Sequence, residues 1–158
     1  MIQEDNPLIA HHFVLIDEDN FTARAFRTLL PTLGDVSFDI LPTLEEARTA
    51  LARVVESAAT TRPILLVDLD GEEYHGLSLL KSIRTGEAGL PRGLPVLAVA
   101  GFGDQSWVNV AQALDVGAVL ARPLTRHALH AACRRLSMGG VDPRPVEFYM
   151  AVELPSGS

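Results

Sequence analysis

Short apolar runs, each followed by a helical pattern, recur five times along this chain, and no feature narrows the possible folds more. The runs are Phe13–Ile16, the alternating Val36, Phe38 and Ile40, then Ile64–Val67, Val96–Ala100 and Ala118–Ala121. Runs of this length bounded by turn signals read as strands, and those that are apolar throughout suit a sheet buried on both faces. Between and after them apolar residues return every three or four positions, as on one face of a helix. Phe26, Leu29, Leu30 and Leu33 do so first, then Ala47, Ala50, Leu51 and Val54. Leu79, Leu80 and Ile83, then Val108, Ala111 and Leu114, then Leu129, Ala132, Cys133 and Leu136 complete the set. Asn20 and Thr125 are placed to cap helices, and Thr43 with Glu46 fits a capping box. Five strands alternating with five helices predict an α/β fold with a doubly wound, five-stranded parallel sheet.

At 158 residues the chain is long enough for one domain with a sizeable core. The pattern ends at Met138, which predicts a domain over residues 1–138 and an extension over 139–158. In the extension Val146, Phe148, Met150, Val152 and Leu154 alternate with Glu147, Tyr149, Ala151 and Glu153. Period-two alternation predicts one extra C-terminal strand at about 146–154. A lone strand needs a partner, so it is expected to fold back onto its own domain, on a sheet edge or over helices, or to pair with another chain, its own twin included, the plain alternative being a linker. Gly139-Gly140 and the Pro143–Pro145 spacer favour the homodimer.

The net charge of −7 speaks against a nucleic-acid surface, which needs clustered Lys and Arg. No apolar run is long enough to span a membrane, and the N-terminus lacks the pattern of a secretory leader. A cytoplasmic protein is expected. The one cysteine, Cys133, falls on an apolar helical stripe and reads as a packed thiol.

Chemistry concentrates at the strand ends. The first strand runs into Asp17-Glu18-Asp19, and the third into Asp68-Leu69-Asp70-Gly71. In a doubly wound sheet the carboxyl ends of the first and third strands are neighbours at the switch point, where such folds bind ligands. Singly, acids there read as helix caps. Together, converging carboxylates repel unless a cation joins them, and a few hard oxygen donors suit Mg²⁺.

With these residues in place the chain resembles the receiver domains of two-component response regulators, over about residues 12–137. That family carries an acid pair after the first strand, here Asp17 and Glu18, and a nucleophilic Asp after the third, here Asp68. A Gly follows eight residues later, here Gly76. The resemblance implies a flavodoxin-like receiver fold, Asp68 as phosphoacceptor, and Mg²⁺ held by Asp17, Glu18, Asp68 and the backbone carbonyl of Asp70. It also implies a signalling module rather than an enzyme, with a histidine kinase or phosphotransfer protein as phosphoryl donor and an output protein whose identity stays open. Several positions depart from the family. Ala100 stands where a Thr or Ser ends the fourth strand, and Arg122 where a Lys precedes Pro123. Val119 stands in place of the aromatic switch residue, and Gly71-Glu72 in place of Met-Pro. The only lysine, Lys81, follows the third strand and is placed wrongly to substitute for Arg122. The metal-and-nucleophile half of the family pattern is therefore present and the relay half is not. An atypical receiver with output by protein contact is expected, the alternative being a phosphorylation-independent scaffold. "DLDG" also matches the first motif of haloacid-dehalogenase-type phosphatases, but Glu72 holds that motif's Thr position and two strands precede it.

The remaining polar residues read as structural. His11-His12 and the pair His127 and His130 are expected at the surface, without a third ligand to make a metal site. Arg126, Arg134 and Arg135 form a basic face on the last helix, a solvated face that the acidic remainder also makes a candidate interface, and Trp107 reads as a core or capping residue.

Overall fold

A computed structural model describes residues 8–17, 21–57, 61–69, 75–101, 105–136 and 140–154. Strands β1 (Leu8–Ile16), β2 (Gly34–Leu41), β3 (Arg62–Asp68), β4 (Val96–Ala100) and β5 (Ala118–Ala121) form one sheet in the order β2-β1-β3-β4-β5. All four pairings are parallel. Between the strands run α1 (Phe21–Leu29, followed by a short 3₁₀ turn), α2 (Leu44–Ser57), α3 (His75–Thr85) and α4 (Gln105–Ala113). Helix α5 (Arg126–Leu136) follows β5. The doubly wound sheet expected from the apolar runs is the one observed.

Alternation along the strands sorts the core into two layers. Phe13 and Leu15 of β1, Ile64 and Leu66 of β3 and Leu97 and Val99 of β4 pack with Phe26 and Leu30, and with Leu129, Cys133 and Leu136 of α5. Val14, Leu65, Val67, Val96 and Ala98 pack on the other side with Leu51 of α2, Leu80 and Ile83 of α3 and Ala111 of α4. Two caps bear out their sequence signals. The Thr43 hydroxyl accepts the Glu46 N–H at 3.2 Å, and the Thr125 hydroxyl accepts the Ala128 N–H at 3.1 Å. Gly76 lets α3 lie close on β3, since a Cβ there would stand 2.4 Å from Val67 Cγ1.

The C-terminal extension corrects the sequence reading. Residues 146–150 form a short helix, α6 (Val146–Met150), not a strand, and no strand lies at 146–154. Pro145, at φ −54 and ψ 145, opens the helix without donating an N–H. The faces are reversed as well. Tyr149 is fully buried, whereas Phe148 and Met150 are 41% and 63% exposed. The described part of the extension, residues 140–154, docks on its own domain and contains no strand. Tyr149 donates to Asp115 Oδ2 at 2.6 Å and accepts the Arg144 N–H at 3.0 Å. Lys81 Nζ donates to the Val152 carbonyl at 2.7 Å, and the Val141 N–H to the Gly93 carbonyl at 3.0 Å.

Below this segment lies a polar hub. Arg84 is fully buried, and its guanidinium donates to the carbonyls of Arg92, Leu94, Leu114 and Asp115 at 2.6–2.9 Å. Burial pulls its pKa down to about 10, with Tyr149 and Asp115 opposing the fall. One planar fork thus ties the chain before β4 to the chain before β5.

Two histidines also depart from expectation. His11 and His130 are buried, at 6% and 3% exposure. His130 shares the inward stripe of α5 with Cys133, while His127 faces solvent, so the two present no common face to a metal.

Candidate functional site

The alternation that builds the two layers also aims the acids. On β3 the even positions Ile64 and Leu66 face the α1–α5 layer, so Asp68 belongs to that side. On β1 Phe13 and Leu15 do the same, and Asp17, one residue past the strand end, follows them. The carboxyl ends of β1, β3 and β5 therefore open beside the first turn of α1.

Asp17 Oδ2 accepts the backbone N–H of Ala23 at 2.7 Å, satisfying one of the donors that a helix start leaves open. Asp68 Oδ2 accepts from Arg122 Nη2 at 2.8 Å, with both side chains 19% exposed. The Thr22 hydroxyl donates to the same Asp68 oxygen and accepts from Arg122 Nη2 at 3.0 Å. Thr22 is 2% exposed, so the three-way contact is held in place by packing. Arg122 reaches the site from just past β5, where its backbone N–H donates to the Ala100 carbonyl at 3.0 Å. Charge-assisted contacts of this kind are stronger than neutral ones, and here one guanidinium nitrogen serves two oxygens.

The other proposed positions fall as follows. Ala100 ends β4 beside Ala121, and its side chain packs with Val119 against the opposite, α3–α4 layer. Lys81 is engaged at the C-terminal segment, away from Asp68. Glu18 and Asp70 lie outside the described residues, as do Gly71 and Glu72. Asp17 and Asp68 are the hard oxygen donors that Mg²⁺ takes. Among the described residues no three His, Cys, Asp or Glu side chains gather to hold a metal. The described pair suits such an ion in chemistry and would need further oxygen donors.

Thr22 is the site residue that the sequence reading missed. The receiver pattern puts the hydroxyl at the end of the fourth strand, where Ala100 has none. Thr22 lies in the first turn of a helix, and nothing in its sequence neighbourhood sets it apart from a surface threonine.

No family model matches this sequence, and no curated protein matches it. Solved structures do. One from Chloroflexus aurantiacus, assigned as a response regulator, superposes with a TM-score of 0.63 at 20% identity, over 82% of this chain and 99% of that one. A response regulator from Thermotoga maritima gives 0.62 at 19% identity, over 83% and 100%. A response regulator receiver domain protein from Clostridium thermocellum gives 0.62 at 17% identity, over 82% and 96%. These chains are matched almost whole. At such identities the likeness is one of architecture, and the protein has the fold of the response-regulator receiver domains.

Proposed function

We propose that this protein is an atypical receiver domain of two-component signalling, with Asp68 as its phosphoacceptor. The observation that carries this reading is the Asp68–Arg122 pair at the carboxyl ends of β3 and β5, beside Asp17 at the end of β1. One Asp68 oxygen attacks the phosphorus of a phosphohistidine on a histidine kinase or phosphotransfer protein. The new O–P bond forms as the N–P bond breaks, and the donor imidazole leaves as the neutral base after taking a proton. An acyl phosphate serves by the same route, with carboxylate leaving. Arg122 follows the charge from the carboxylate to the phosphoryl oxygens. Mg²⁺ would be held by Asp17, Glu18, Asp68 and the Asp70 carbonyl, and would neutralise the entering charge. Output then passes to another protein by contact.

A second reading is a scaffold that works with Asp68 silent. It is favoured by the absence of a hydroxyl at Ala100 and of an aromatic at Val119, and by the guanidinium already seated on Asp68. The two readings separate on one measurement. Incubation with acetyl phosphate and Mg²⁺ should add one phosphoryl group to the intact mass, and Asp68→Asn should abolish the gain. A wild-type mass that never changes, with signalling output unaltered by Asp68→Asn, would select the scaffold.

A further inference from the structure

Ala100 leaves the end of β4 without the hydroxyl that the receiver pattern calls for, and the structure places a hydroxyl against Asp68 from a different element. We propose that Thr22 of α1 is the positioning residue of the phosphoryl site, holding Asp68 and Arg122 in register for the incoming group. The inference rests on the receiver reading and deepens it.

Three observations support it. The Thr22 hydroxyl touches both partners, donating to Asp68 Oδ2 and accepting from Arg122 Nη2 at 3.0 Å. A hydroxyl has one donor and two acceptor sites, so a single oxygen can serve both contacts together. Thr22 is 2% exposed, and close packing around it together with its two polar contacts keeps the oxygen aimed. The first turn of α1 is itself anchored to the site, because Asp17 Oδ2 holds the Ala23 N–H at 2.7 Å. Asp17 therefore fixes the turn that fixes Thr22, and Thr22 fixes the nucleophile and its cation. Alternation places Ala100 in the opposite layer, packed with Val119. In this protein the hydroxyl that reaches Asp68 comes from α1 and not from the end of β4.

Beryllofluoride, a non-covalent mimic of the phosphoryl group, tests the assignment when titrated with Mg²⁺ into the wild type, Thr22→Val and Thr22→Ser. Val keeps the shape and the branch while removing the oxygen; Ser keeps the oxygen. The expected result is a dissociation constant raised about tenfold or more by Val and returned to within about threefold of wild type by Ser. Amide spectra of the unliganded variants check that each is folded. Beryllofluoride bound equally by wild type and Thr22→Val would overturn the role of Thr22 and leave the receiver reading standing. A wild type that binds no beryllofluoride would overturn the receiver reading, and this inference with it. A loss in Thr22→Val that Ser fails to restore would assign the effect to packing and overturn the positioning role.

Discussion

Arg122 sets the balance of the site. It stands where the receiver pattern has lysine, and the two are not interchangeable. A guanidinium is a rigid planar fork that engages several oxygens at once, while an ammonium is a compact point charge on a flexible stem. In this protein one nitrogen of that fork joins Asp68 and Thr22, so the positive charge that would meet a phosphoryl group rests on the proposed nucleophile. A metal at this site would compete with the same contact for an Asp68 oxygen. Arg122→Ala should therefore act in opposite directions on two ligands. Mg²⁺ alone should bind about tenfold more tightly, a change of about 1.4 kcal/mol that suits a partly buried ion pair. Beryllofluoride should bind more weakly, because its charge loses a partner. Amide shifts of Asp17 and Asp68 report both titrations, and a metal affinity unchanged by the substitution would show that the guanidinium does not compete.

Among the elements, the C-terminal segment has the most distinctive design. It is only five helical residues with an extended approach, too short to be stable alone, and it is held by tertiary contacts. Arg92 Nη2 donates to the Arg144 carbonyl, and the Arg144 guanidinium stacks over the Phe148 ring at 4.5 Å while pairing with Asp115 at 3.3 Å. A Cβ on Gly140 would stand 1.8 Å from the Gly93 carbonyl oxygen, so only glycine permits the chain to pass there. Tyr149 is the anchor. Its ring enters the α3–α4 side of the core, and burial together with the Asp115 contact raises its pKa. Tyr149→Ala should lower the unfolding free energy by about 3–5 kcal/mol, and Tyr149→Phe by about 1–2 kcal/mol through the lost hydroxyl contacts. Urea unfolding measures both. Wild-type stability in Tyr149→Ala would mean that the segment is not part of the folded domain.

At the scale of the whole molecule, one buried titration contributes to the loss of stability in alkali. Cys133 is fully buried in the α1–α5 layer, and burial pushes its thiol up to about 12 from an ordinary 9.0. The folded protein thus keeps the proton over a range in which the unfolded chain releases it. This contribution to stability is complete below about pH 9 and is lost as the pH rises toward 12. Cys133→Ala should flatten the decline in unfolding free energy between those values, at the cost of a small cavity. Denaturant titrations of the two proteins from pH 8 upward test it, and parallel curves would show that the thiol does not contribute.

Local pattern alone specified the order of the five strands and of the five helices between and after them, because strand and helix periods are properties of neighbouring residues. It also placed Asp17 and Asp68 at strand ends and Arg122 past the fifth, since a doubly wound sheet brings those ends together whatever the loops contain. Burial of Cys133 followed for the same reason, from its place on a helical stripe. Contacts between distant segments decided the rest. The nine-residue alternation at 146–154 pointed to a strand, but a buried surface with a carboxylate partner chose Tyr149 over Phe148 and Met150. His130 went inside because its turn of α5 faces the sheet, and Arg84 because four carbonyls from two distant loops converge on it. The Thr22 hydroxyl reaches Asp68 across 46 positions of chain and Arg122 across 100. No local rule links residues so far apart; side-chain alternation on β3 and the packing of α1 over it bring them together.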